Sequence, residues 1–316
     1  MAWKSILLIA RATIFVGAYL VLTDVSFGQE WAYPPLPPTK SGEDTILKQV
    51  PGSARAFTQA QTEGFFNPPD WYPQEHPPMP EIVSHGRSPK IQACARCHLP
   101  NGNGHPESSS LAGLSAEYMI RQMTAFKEGS RRGVRADRMG PFAKEISDSE
   151  LKEAIKYFAS LKPSPWTKVV EAQVVPETFV GQGAMRLPKP DGRNEPLGSR
   201  IIAVPESPER AELRDSHSGF IEYVPVGSIE RGGKLVATGG EAKTQACNGC
   251  HGPALKGMND IPAIAGRSPI YVVRQLQDIK TGRRTGPDLE PMRQVVQKLD
   301  DADIIDIAAY VGSLEP

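Results

Sequence analysis

The sequence predicts a mainly α protein made of two copies of one small helical domain, joined by a short β-containing segment and preceded by a proline-rich arm. Three observations lead there. All four cysteines fall in two pentapeptides of the same form, Cys94-Ala95-Arg96-Cys97-His98 and Cys247-Asn248-Gly249-Cys250-His251. The residues that follow the first motif recur after the second at a constant offset of 153. Between the two copies the helical period disappears, and β-branched runs broken by Pro and Gly take its place.

The repeat is ungapped over several dozen residues. Adding 153 carries Ala112-Gly113 onto Ala265-Gly266, Tyr118 onto Tyr271 and Arg121-Gln122 onto Arg274-Gln275. It also carries Gly129 onto Gly282, Arg131 onto Arg284, Met139 onto Met292 and Tyr157 onto Tyr310. A repeat of this kind means two copies of one structural unit. The chain therefore divides into 1–28, an export segment; 29–80, the arm; 81–163, the first domain; 164–226, the linker; and 227–316, the second domain.

The arm holds eleven prolines, which excludes regular helix and central strand. Its aromatics, among them Trp31, Phe65, Phe66, Trp71 and Tyr72, are too many for a solvated tether, so it is expected to pack on a helical domain. A short helix over 53–63 is expected, with Ser53 as its N-cap. In the first domain, Ser115 caps a helix that Gly129 stops, and Ser147-Asp148-Ser149-Glu150 is a capping box that opens another. The linker runs 167–174, 199–204 and 219–224 read as strands of a small antiparallel hairpin or meander that spaces the domains. In the second domain, 228–238 reads as a leading helix. Pro269 stands at a first helical position with Gly282 as the stop, and the last helix runs from about 301 to 314. The first copy has Pro77, Pro78 and Pro80 where the second has its leading helix, so its own must be short.

Cys-x-x-Cys-His is the attachment site of a c-type haem: the thiols add across the vinyl groups and the adjacent histidine reaches the iron. Two motifs imply two haems. The repeat also selects the second axial ligands, because Met139 and Met292 each lie 41 residues after His98 and His251. A thioether is a soft neutral donor, and His/Met ligation raises the potential of cytochromes c. Met119 and Met123 sit in an amphipathic run and become Val272 and Leu276 in the second copy, as packing residues do. His105 is too close to His98 to cross to the opposite face, and its counterpart is Met258. A zinc site would have to unite two pairs some 150 residues apart, and a thioredoxin-like motif leaves His98 and His251 unexplained.

The stretches before both methionines are basic. Arg131 and Arg284, which the repeat relates, are the candidates for ion pairs with haem propionates; the alternatives are a solvated face or steering toward an acidic partner. Over the chain 36 basic residues balance 36 acidic ones, which excludes a strongly basic nucleic-acid binder. Lys4 and Arg11, the apolar run 12–22 and Ser26-Phe27-Gly28 read as an export signal cleaved before Gln29, with an uncleaved membrane anchor as the alternative. Export agrees with haem attachment, which in bacteria takes place outside the cytoplasmic membrane, and points to the periplasm.

These residues together resemble bacterial class I cytochromes c, in particular the two-haem kind with tandem domains. Cys94, Cys97, His98 and Met139, then Cys247, Cys250, His251 and Met292, carry the resemblance, which covers roughly half of the chain. It implies two tandem class I cytochrome c domains, each with both axial positions filled, passing single electrons between larger redox proteins. The donor and acceptor are expected to be redox proteins such as a periplasmic dehydrogenase and a terminal oxidase. Two roles fit, a soluble carrier and a subunit of a dehydrogenase or membrane complex, and the arm and linker favour the second. The alternative is a dihaem enzyme such as a cytochrome c peroxidase, which requires an open iron position.

Overall fold

Where each copy has a short polar cap followed by residues with helical period, the computed structural model places a helix; it describes residues 29–35, 45–133 and 135–316. The export segment lies outside the described residues. Among those described, no helix is long and apolar enough to cross a membrane.

Among the described residues of the arm, the one α-helix is α1 (Gln59–Thr62). Its cap is Thr58 with Gln61 in a reciprocal capping box, not Ser53. The Ser53 hydroxyl instead donates to the Trp71 carbonyl at 2.7 Å and accepts from the Arg55 amide, which commits it to a turn. The first domain follows with α2 (Glu81–Ser84), α3 (Ala95–His98), α4 (Ala116–Glu128), α5 (Ala136–Glu145) and α6 (Asp148–Ser160). Ser115 accepts from the Tyr118 amide at the start of α4, and left-handed Gly129 ends it. Ser147 and Glu150 form the capping box of α6. The leading helix α2 is one turn long behind Pro80, as the prolines require.

The linker contains β1 (Thr167–Glu171), β2 (Val174–Pro176), β3 (Thr178–Val180), β4 (Arg186–Pro188), β5 (Asn194–Pro196), β6 (Ile202–Pro205), α7 (Pro208–Glu212) and β7 (Phe220–Val224). It is not a simple antiparallel meander. β7 is the centre of a mixed sheet, parallel to β1 (Thr167 opposite Phe220) and antiparallel to β6 (Ile202 opposite Tyr223). The pairs β2–β5 and β3–β4 are separate antiparallel ribbons.

The second domain comprises α8 (Ser228–Ala242), α9 (Asn248–His251), α10 (Pro269–Lys280), α11 (Glu290–Gln297) and α12 (Asp301–Ser313). Helix α8 departs from helical geometry at Gly239, Gly240 and Glu241, all with positive φ. A Cβ at Gly232 would lie 1.9 Å from the Asp306 carbonyl, so glycine there lets α8 approach α12 closely.

The linker does more than space the domains. On one face of β7, Phe220 packs with Met185, Leu187 and Ala211, while Val224 joins the core of the second domain with Ile304 and Ala308. Between them the fully buried Glu222 accepts the Ile270 amide at 2.9 Å and so caps α10. The arm is clamped in turn. Trp71, 2% exposed, donates through Nε1 to the Leu213 carbonyl at 2.9 Å and meets Phe57 edge-on at 4.7 Å. At the other end of the arm, Ala32 is buried in the second domain's core, and the Tyr33 hydroxyl donates to Asp278. The arm thus packs against the linker and both helical domains.

The domains meet through a pseudo-two-fold lattice. Arg131 donates to Tyr271 and Gln275 of the second copy, and Arg284 donates to Tyr118 and Gln122 of the first, each pair of partners being related by the same offset of 153. Backbone bonds reinforce it, from Arg132 to the Arg283 carbonyl and from Thr285 to the Ser130 carbonyl.

Two outcomes follow from these anchors. Trp71→Ala removes a buried indole and leaves the Leu213 carbonyl unpaired, so denaturation of the holoprotein should show a loss of about 3–5 kcal/mol. Burial pushes the Glu222 carboxyl up to about 7, whereas the unfolded chain titrates near the ordinary value of about 4.3. The folded form therefore holds the proton more tightly. Its contribution to stability is complete below the unfolded value and is lost as pH rises through about 7. Glu222→Gln should flatten that stretch of the stability–pH curve; an unchanged slope refutes the assignment.

Candidate haem centres

Each attachment motif forms a single turn, α3 or α9, with its histidine at the C-terminal end. The turn brings the two cysteines and the histidine of a motif onto one locus, which is what three bonds to one macrocycle require. The imidazoles are oriented alike. His98 Nδ1 lies 2.8 Å from the Ser109 carbonyl and His251 Nδ1 lies 2.9 Å from the Pro262 carbonyl, and these carbonyls are themselves related by 153. A carbonyl only accepts, so Nδ1 carries the proton and Nε2 keeps its lone pair for a metal. Burial pushes both imidazoles below their ordinary value, which favours the neutral, ligating form. Burial also pushes the Cys94 thiol up to about 12 and the Cys247 thiol up to about 11. That is opposite to the low thiol pKa of dithiol redox pairs.

In the first copy His98 opens on a cavity of about 480 Å³, a size suited to a large cofactor. Apolar side chains such as Leu114, Phe126, Phe142 and Phe158 line it, together with Cys94, Cys97 and Met139. The structure thus brings His98 and Met139 to one cavity. Arg131 reaches the same cavity from the domain lattice. Met119 is buried in the first domain's core, as expected, and with Met123 it borders the cavity. In the second copy Cys247 and Met292 pack against one core cluster with Leu289. Arg284 is buried in the lattice, and its Nε has no hydrogen-bond partner.

Several residues around the first centre escape a reading of the motifs. Phe65 comes from the arm, and Met185, Arg214, Asp215 and Phe220 come from the linker, yet all line the cavity. No local pattern marks them, because they arrive through long-range contacts. His105 lines the cavity too, with its Nδ1 buried and unpartnered. Burial and the neighbouring Arg214 push it down to about 3. Glu107, also buried, pairs with Arg274 of the second domain at 2.9 Å, and the offset of 153 relates this contact to the Arg121–Asp260 pair at 2.6 Å, a carboxylate standing at both positions.

These features fit a covalently held haem in each domain. The paired thiols and the proton-donating Nδ1 recur in both copies, and the first copy adds an apolar cavity of suitable volume.

Comparison with known proteins agrees with the geometry. The Cytochrome c family model matches twice, over residues 90–162 and 229–315, together just over half of the chain. The chain is 28% identical over 235 residues to cytochrome c4 of Azotobacter vinelandii, covering 71% of this chain and 86% of that protein. It is 27% identical over 228 residues to the thiosulfate dehydrogenase electron acceptor of Thiomonas intermedia (strain K12), covering 71% and 80%. Among solved structures, thiosulfate dehydrogenase of Marichromatium purpuratum in its as-isolated form superposes with a TM-score of 0.49 at 24% identity, covering 73% of this chain and 38% of that one. With two attachment turns, two matching family domains and a carbonyl-oriented imidazole in each, the chain belongs to the cytochrome c family as a tandem electron-transfer member carrying two covalently bound haem c groups.

Proposed function

We propose that the chain is an exported, periplasmic electron-transfer cytochrome serving an oxidising enzyme, with His98/Met139 and His251/Met292 as its two axial pairs. The observation that carries the ligand assignment is the matched frame in the two copies. Each motif histidine gives its Nδ1 proton to a carbonyl, and each copy places a methionine 41 residues on. The haem supplies a one-electron couple, and the protein supplies two axial donors that hold the geometry constant as the charge changes. The apolar lining excludes water, which would otherwise stabilise the oxidised iron and lower the potential. Met139 and Met292 would hold the second position of each haem iron and leave none for a substrate, so this reading places catalysis in the partner.

The role as acceptor for a dehydrogenase draws support from the Thiomonas relative, whose name describes such an acceptor. The arm and linker, which the simple tandem arrangement does not need, favour a dedicated complex over a free carrier. A terminal oxidase is the expected onward acceptor, and the N-terminal segment is the expected route to export or to membrane association. Co-purification with a dehydrogenase supports the complex, and recovery of the holoprotein alone supports the carrier.

Met139→Ala and Met292→Ala should each abolish one methionine-to-iron charge-transfer band. Each should also lower one midpoint potential by a sizeable part of the roughly 0.8 V that axial ligands can span. Spectra unchanged in both variants reject the ligand assignment, and rapid cyanide binding with peroxide turnover in the unsubstituted protein would favour a dihaem peroxidase instead. Arg131 borders the first cavity and Arg284 holds an unpartnered buried Nε, so both remain the proposed propionate partners. Arg131→Ala and Arg284→Ala should each shift one midpoint potential downward, because a positive charge near the iron disfavours its oxidised state. Potentials that stay put in both would leave the two arginines with the domain lattice alone.

A further inference from the structure

The two attachment sites are chemically equivalent but not equally accessible. In 91–110, which holds the first motif, every residue is buried or half-buried. In the equivalent stretch 244–263, ten of twenty residues are exposed, Cys250 among them. The cover over the first site is built by parts of the chain that the repeat lacks. From the arm, the Phe65 carbonyl accepts the Ala93 amide at 2.9 Å, and the Phe65 ring lies 4.5 Å from the Arg96 guanidinium. From the linker, Arg214 donates to the Arg96 carbonyl, and the Ser216 carbonyl accepts from Asn101. In the second copy, Gly249 replaces Arg96, and a Cβ built there meets nothing within 4 Å. Met258, which replaces the enclosed His105, is 42% exposed.

We propose that the second attachment site is the chain's port for electron exchange, and that the first exchanges electrons only inward, with the second. This rests on the two-haem assignment. An electron leaves the partner's centre, which is oxidised, and reduces the second site; it then passes to the first, which is reduced as the second is reoxidised. The surface around the port also indicates its partner. Gln245, Asn248, Gly249, Pro253 and Met258 are exposed and uncharged. The two charges within the stretch, Lys256 and Asp260, have opposite sign, and Asp260 is bound by Arg121 at 2.6 Å. Such a rim neither steers nor repels by charge. It fits a redox protein whose own centre opens on an uncharged, apolar-rimmed face and which docks transiently over a small area.

The first test uses the holoprotein and photogenerated flavin semiquinone, a small uncharged one-electron reductant. Haem absorbance should show one phase whose rate rises with flavin concentration, followed by one that does not depend on it. Asn248→Trp combined with Met258→Trp should slow the first phase several-fold and leave the second unchanged. Phe65→Ala, which strips cover from the first site, should add a second concentration-dependent phase. The second test titrates fully reduced, ¹⁵N-labelled holoprotein with a reduced blue copper protein whose copper edge is ringed by apolar side chains. Amide shifts should centre on 245–260, with equal affinity at low and physiological ionic strength. Two concentration-dependent phases in the unsubstituted protein, shifts centred on 91–110, or an affinity that collapses with salt would each overturn the proposal.

Discussion

An imidazole can present one nitrogen to iron in a fixed direction only if the other is held. In this chain the hold is a single hydrogen bond in each domain, from His98 to the Ser109 carbonyl and from His251 to the Pro262 carbonyl. Much of the surrounding structure serves that bond. The turn carrying the motif and the loop returning eleven residues later must stay in register, which fixes the loop's path. The helices after the loop then close the cavity on an already oriented ligand. Because the carbonyl is a main-chain group, the side chain behind it is free to vary, and Ser in one copy stands where Pro does in the other.

The two domains share this frame and diverge around it. At their contact the divergence is small, since Arg131 and Arg284 reach across with equivalent partners, as an isologous interface requires. Away from the contact, the arm and linker treat the copies differently. They enclose the first attachment segment and leave the second open, so two centres of one chemical type occupy unlike surroundings. Enclosure lowers the local dielectric and excludes water, and both tune a redox couple without altering a ligand.

What was legible in the sequence follows from the range of the interactions involved. The caps Ser115 and Ser147, the stop at Gly129 and the Pro269 start depend on neighbours within one helical turn, and the structure has them in place. The attachment motifs are equally local. The arm's helix was misassigned because Ser53 and Thr58 are both competent caps, and only the distant Trp71 carbonyl claims Ser53. The parallel pairing of β1 with β7 unites residues about fifty positions apart and leaves no periodic trace. In the sequence Glu222 is simply a polar position within the strand run 219–224. Its work as a helix cap depends on Ile270, which no pattern in either segment announces.

Strand β7 has a consequence for how the halves behave together. One end of it, at Phe220, borders the first cavity, the other, at Val224, is embedded in the second domain, and the buried Glu222 carboxyl pins its middle to α10. A flexible tether would let the two metal centres wander, and internal exchange would then wait on a diffusive search. A strut of this kind fixes the separation of the two halves, so exchange between them would need no such search and would not depend on solvent viscosity.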